Sequence, residues 1–211
     1  MDIFSQKAFL FDFDGVIVDT EKYHYKAWND ACAAFGTRIP EEEYPYLKST
    51  GAPNFFAYFE KKLSRSLTPE EKTALLSAKD ASFSEYNSTI TARDVLPGVI
   101  ELIEKAGQRG IVCALASASR TAKERVEALG LEGLFDTITD GAEVARKKPA
   151  PDIFLTAAEK CGAAPADCVV FEDSPAGIAA AKNAGIPAVA VGGLKTPDAF
   201  VCVDSLEELL P

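Results

Sequence analysis

The sequence predicts an α/β fold, a doubly wound parallel sheet with a Rossmann-like core, carrying an inserted α-helical cap domain. Three observations lead there. Short, near-continuous apolar runs alternate with helical patterns through most of the 211 residues, as strands buried on both faces of a parallel sheet do. Gly110, Gly130, Gly162 and Gly185 stand where helix C-termini are expected. Between about residues 16 and 93 the strand pattern disappears and only helical patterns remain.

The elements follow in order. "KAFLFDF" (7–13) is the first strand. Helical patterns cover about 20–35 and 53–64, and another begins at "TPEEK" (68–72), where Thr68 and Glu71 fit a capping box with Pro69 at the first helical position. A helix over about 98–109 then leads to the strand "IVCALAS" (111–117). A helix at 121–130 precedes "DTIT" (136–139), and one at 152–162 precedes "CVVFE" (168–172). The last pair is a helix at 175–185 and the strand "PAVAVG" (187–192). This assigns 1–15 and 94–211 to the core and 16–93 to the cap, whose two connections pass close to the end of the first strand.

Composition narrows the function classes. With 47% hydrophobic and 26% charged residues, the chain is long enough to bury a core without staples. Its net charge of −10 and sequence pI of about 4.7 repel nucleic-acid phosphates, so no nucleic acid is expected as a partner. If the protein handles a small anion, a local cation must reverse that field. The five cysteines are scattered without a C-x-x-C, as buried reduced thiols are. The first apolar run is broken at Asp12, too short for a membrane span and without a signal-peptide pattern. A cytoplasmic protein with no membrane partner is expected. No exposed apolar seam stands out, so a monomer is expected too.

Ligands of open parallel sheets bind beyond the carboxyl ends of the strands, so what each strand delivers there matters. The first gives Asp12 and Asp14, the second Ser117, and the loop after the third gives Lys147 and Lys148 in "RKKPAPDIF". The fourth gives Glu172 and Asp173 in "FEDSPAGI". Each has a bland explanation alone: turn chemistry for the D-x-D, helix capping for Ser117 and for Glu172 with Asp173, a solvated lysine for Lys148. Four bland explanations meeting on one sheet edge are improbable together. Carboxylates gathered without His or Cys demand a hard cation, and Mg²⁺ suits a site that also takes phosphate. With Lys148 and the backbone N–H groups of 14–16, it would make the local field positive. A phosphoryl group could then lie in line with an Asp12 oxygen, since carboxylates serve as phosphoryl acceptors.

The motifs "DFDGVIVDT" (12–20), "LASASR" (115–120), "KPAPDIF" (148–154) and "EDSPAGI" (172–178) resemble those of the haloacid dehalogenase superfamily. Within it the likeness is to β-phosphoglucomutase-like phosphatases and phosphomutases with a helical cap, and it spans essentially the whole chain. The resemblance implies that Asp12 is the nucleophile, forming an aspartyl phosphate, and that Asp14 is the general acid/base. It implies Mg²⁺ held by Asp12, the main-chain carbonyl of Asp14, Glu172 and Asp173, with Ser117 and Lys148 on the phosphoryl oxygens. An acid at Asp14 argues against haloacid dehalogenation, because the dehalogenases of this superfamily lack one there.

In the cap, a lone histidine is ordinarily a packed or surface residue. The resemblance nevertheless matches His24 to a residue coupling cap closure to Asp14, Trp28 to a neighbouring position, Thr20 to the hinge and Lys79 to a cap lysine. Trp28 could equally anchor the cap core. The G-x-S-R loop of the mutase reads "GAPN" here (51–54), so Gly51 is retained but Asn54 stands where the mutase has an arginine. Asn lacks the charged, bidentate grip of Arg on phosphate. Arg120, after Ser119, matches a basic phosphate-binding position, and Lys48 lies nearby in sequence. Mg²⁺-dependent phosphoryl transfer on a small phosphorylated sugar is therefore expected, leaning to a β-phosphoglucomutase-type phosphohexomutase with a sugar-phosphate phosphatase as the alternative. A signalling receiver domain fits poorly, lacking a helical insertion, and a catalytically dead phosphosugar-binding protein is at odds with four intact motifs.

Overall fold

A computed structural model describes residues 2–47 and 52–210. Its sheet is six-stranded and parallel throughout, in the order β3-β2-β1-β4-β5-β6. The strands are β1 (Ala8–Phe11), β2 (Val112–Ala116), β3 (Thr137–Thr139), β4 (Cys168–Glu172), β5 (Ala188–Ala190) and β6 (Val201–Cys202). β1 and β4 are buried at every position, which is why they read as unbroken apolar runs rather than alternating ones. Five strands lie within the expected spans. β6, only two residues long, has no pattern to read.

Chain contacts divide the molecule into two compact units, 1–19 with 91–211 and 20–90. Residues 16–19 and 91–93, expected in the insertion, group with the α/β unit. The two crossing segments hold each other there: Leu96 N–H donates to the Ile17 carbonyl at 2.9 Å and Asp19 N–H to the Asp94 carbonyl at 3.0 Å, while Val16, Ile17 and Val18 are buried. The α/β unit carries helices α4 (Val99–Gln108), α5 (Ala122–Ala128), α6 (Asp152–Lys160) and α7 (Pro175–Ala184). Helices α6 and α7 set Ile153, Phe154, Ala157, Ile178, Ala180 and Ala181 into one apolar cluster with Leu10, Ala114 and Val170 of the sheet.

The second unit consists of α1 (Glu21–Ala33), α2 (Ala52–Leu63) and α3 (Pro69–Asn87). An aromatic core of Trp28, Tyr44, Phe55 and Phe59 joins α1 to α2, and α3 packs along α1. Thr68 caps α3 in the capping box anticipated from its sequence. Among the described residues no helix is long and apolar enough to cross a membrane.

Candidate active site

The strand order reverses direction between β1 and β4, the place where doubly wound sheets leave a crevice. Asp12 directly follows β1, and Glu172 is the last residue of β4. Asp12 N–H donates to the Phe171 carbonyl at 3.0 Å, so the backbone fixes the acid at that crevice. Asp12 is 8% exposed and Glu172 fully buried, placements that only partnered charges sustain. The partner is Lys148, from the loop between β3 and α6. Its Nζ donates to Asp12 Oδ1 and to Glu172 Oε2, both at 2.7 Å, and lies over the Phe154 ring.

The other Glu172 oxygen, Oε1, accepts from Asp173 N–H (3.1 Å), Ser174 N–H (3.0 Å) and Ser174 Oγ (2.8 Å). Ser174 is also the N-cap of α7, its Oγ accepting from Gly177 N–H at 3.0 Å. One hydroxyl thus starts the helix and orients the acid. Two glycines are forced by the same packing. A Cβ on Gly177 would overlap the Glu172 carboxyl, and one on Gly15, at φ +77°, would overlap that of Asp173.

Burial, together with the Glu172 and Asp14 charges, pushes the Asp12 carboxyl up to about 7 against the opposing pull of Lys148. Burial alone would lower the Lys148 pKa. The Asp12 and Glu172 carboxylates reverse that and hold the ammonium above its ordinary value. Asp12, Glu172 and Asp173 each offer an oxygen within 4.8 Å of the others. Lys148 meets two of these three carboxylates, and the donor set is all oxygen. Those residues fit a hard divalent ion such as Mg²⁺.

Ser117 leaves the same sheet edge on β2, beside β1. It is buried, its N–H donates to the Thr139 carbonyl at 3.0 Å, and its Oγ accepts from Ser119 N–H at 3.2 Å. Ser119 Oγ lies 3.1 Å from Thr121 Oγ1, and Arg120 and Lys147 are exposed. The Asp14 carboxylate is outside the Asp12, Glu172 and Asp173 cluster. It is gripped by a residue that sequence reasoning missed, Arg125 of α5, whose two terminal nitrogens donate to Asp14 Oδ1 at 2.9 Å and Oδ2 at 3.2 Å. The available signal was a charge on an apolar face, because Arg125 shares its side of α5 with buried Ala122, Val126 and Leu129.

The helical unit places the remaining candidates as follows. His24 stacks on Phe83, ring centroids 3.9 Å apart and planes 8° from parallel. Lys79 Nζ sits 4.7 Å from the same ring and 3.2 Å from Asp80 Oδ1, so Phe83 brings these two together. Trp28 is buried and stacked on Phe55 at 4.0 Å, a core anchor. Thr20 is buried at the start of α1, its carbonyl accepting from Tyr23 and His24 N–H groups. Asn54 is exposed in the first turn of α2. Lys48 and Gly51 lie outside the described residues.

Residues 6–185 match the family model described as haloacid dehalogenase-like hydrolase. The chain is 36% identical over 192 residues to a β-phosphoglucomutase of Bacillus subtilis, covering 88% of this chain and 83% of that one. It is 31% identical over 185 residues to a fructose-1-phosphate phosphatase of Escherichia coli, covering 86% and 94%. A crystal structure of β-phosphoglucomutase from Clostridium difficile superimposes with a TM-score of 0.77 at 32% identity, covering 97% of this chain and 93% of that one.

Proposed function

This chain belongs to the haloacid dehalogenase-like hydrolase family of phosphoryl-transfer enzymes, and on that premise we propose that it acts on small phosphosugars through an aspartyl phosphate on Asp12, as a β-phosphoglucomutase-type phosphohexomutase. The observation that carries the reading is the buried Asp12–Lys148–Glu172 array at the strand-order reversal.

In the first half-reaction an Asp12 carboxylate oxygen attacks phosphorus. The Asp12 O–P bond forms, the P–O bond to the sugar breaks, and Asp14 gives its proton to the departing oxygen. Lys148 fixes the Asp12 carboxylate by one oxygen, which sets the direction of the other, and its charge with the Ser117 hydroxyl meets the transferring oxygens. In the second half-reaction an incoming hydroxyl returns a proton to Asp14, its oxygen bonds to phosphorus, and the Asp12 O–P bond breaks. Asp12, Glu172, Asp173 and the Asp14 carbonyl would hold Mg²⁺, which when bound neutralises phosphoryl charge. His24, Thr20, Lys79, Asn54, Ser119 and Arg120, with Gly51, are the residues we assign to choosing the substrate, in a protein we take to be a cytoplasmic monomer.

One observation favours a second reading, a sugar-phosphate phosphatase. A mutase needs a dedicated hold on a second phosphate, and Asn54 offers no charge where the mutase carries Arg. A ³¹P NMR time course with Mg²⁺, β-glucose 1-phosphate and a trace of the 1,6-bisphosphate separates the two. Growth of glucose 6-phosphate without free phosphate is expected. Growth of inorganic phosphate alone makes the protein a phosphatase. Asp12→Asn should silence both signals while leaving the melting temperature near that of the parent, and an Asn variant with comparable rates would overturn the nucleophile.

A further inference from the structure

Arg125 stands out among the charged residues of the α/β unit. It is 9% exposed, its guanidinium lies over the Phe13 ring at 4.2 Å, and its Nε is buried with no partner. Both terminal nitrogens are turned to one carboxylate, that of Asp14. An apolar side chain would suit this face of α5, and well-packed apolar replacements of buried ion pairs are often neutral or stabilising. Core packing therefore gives no reason for a guanidinium here. Asp14 itself is 32% exposed, so the pair runs from the buried side outward, with the arginine behind and the carboxyl in front.

We infer that Arg125 is a positioning residue for the transfer, its two-pronged grip fixing the plane of the Asp14 carboxyl so that it meets the departing and incoming oxygens. A planar fork holds both oxygens at once, which a lysine cannot do. Phe13 fixes the guanidinium in turn, one residue before the acid it serves. The inference rests on the reading of Asp14 as proton donor and acceptor. Misplacing such a group by about 1 Å is enough to lose about 10²-fold in rate, within the 10²–10⁴-fold that general acid catalysis supplies.

The test compares leaving groups. The sugar of β-glucose 1,6-bisphosphate departs as an alkoxide and needs a proton, whereas p-nitrophenyl phosphate releases a stable phenolate that does not. Single turnovers with Mg²⁺ and enzyme in excess report the first half-reaction for both. Arg125→Met keeps a long stem against Phe13 and should slow release of glucose monophosphate about 10²-fold while leaving nitrophenol release little changed. Arg125→Lys should restore part of the loss, and Asp14→Asn with Arg125→Met should be no slower on the bisphosphate than Asp14→Asn alone. If Arg125→Met does not fold, the same split in Arg125→Lys decides the matter. Equal losses on both esters, or none on either, overturn the inference and leave the proposed function standing. A parent protein that cleaves neither ester, or an Asp12→Asn variant that cleaves both as fast as the parent, overturns the proposed function, and this inference with it.

Discussion

In the α/β unit, Asp12, Glu172 and Lys148 are charges sunk among apolar strands, held by bonds of 2.7 Å to one another. In the helical unit, His24, Lys79 and Trp28 lie against aromatic rings, those of Phe83 and Phe55. The first arrangement has no purpose in packing, because burying paired charges where apolar residues would fit gains little or nothing in stability. The second satisfies packing whether or not the residues touch a substrate. The difference separates what the fold positions for chemistry from what it also uses as core, and it explains why reaction type is easier to derive than substrate.

Truncating a packing residue sharpens the contrast most. Trp28→Ala removes the ring stacked on Phe55 in the core of the helical unit, and such a truncation destabilises by about 3–5 kcal/mol. Urea unfolding should show that loss as a lower midpoint. Phosphorylation of Asp12 by acetyl phosphate, read by intact mass under folding conditions, should change little, because the reacting groups belong to the other unit. If phosphorylation disappeared while the protein stayed folded, Trp28 would belong with the chemistry and the contrast would break.

Gly177→Ala is the converse change, aimed at the site rather than the core. The added Cβ would overlap the Glu172 carboxyl, and displacing a group that orients a metal ligand reduces metal affinity or activity by about 10–100-fold. That corresponds to about 1.4–2.7 kcal/mol. A titration of activity against Mg²⁺ should therefore shift to higher concentration. An unshifted titration would remove Glu172 from the metal site.

The two units were also unequally readable from sequence. β1 and β4 could be read because full burial leaves an unbroken apolar run, and Asp12 and Glu172 because a charge at the end of such a run is costly without a partner. β6 was unreadable for lack of length, since Val201–Cys202 cannot show a period. The Asp14–Arg125 pair was hidden for another reason: its members are 111 positions apart, and no local pattern tells a charge on α5 which acid it will meet. The boundary near 19 and 91 depends on hydrogen bonds between Ile17, Asp19, Asp94 and Leu96, and pairing of that kind appears only once the chain has folded. Ser174 lay between these extremes, because Ser before Pro announces a helix start but not that the same hydroxyl would bind Glu172.

The smallest effect tests whether packing or local capping holds the helical unit. Thr68 Oγ1 accepts from Glu71 N–H at 3.2 Å, and Glu71 Oε2 accepts from Thr68 N–H at 2.9 Å. The same carboxylate takes both terminal nitrogens of Arg65 at 2.8 Å. Thr68→Ala should destabilise by about 1 kcal/mol, less than a third of the Trp28→Ala loss at most of its expected range. Glu71 gives the pH signature. Hydrogen bonds from Arg65 and then Thr68 lower its carboxyl from the ordinary 4.5 to about 2. A depressed native value means its contribution is fully present above the unfolded value and is lost as pH falls from about 4.5 through about 2. Comparing urea midpoints of the parent and Glu71→Gln should therefore show a gap at neutral pH that narrows across that window. A constant gap would mean that the charge on Glu71 contributes nothing to the stability of the helical unit.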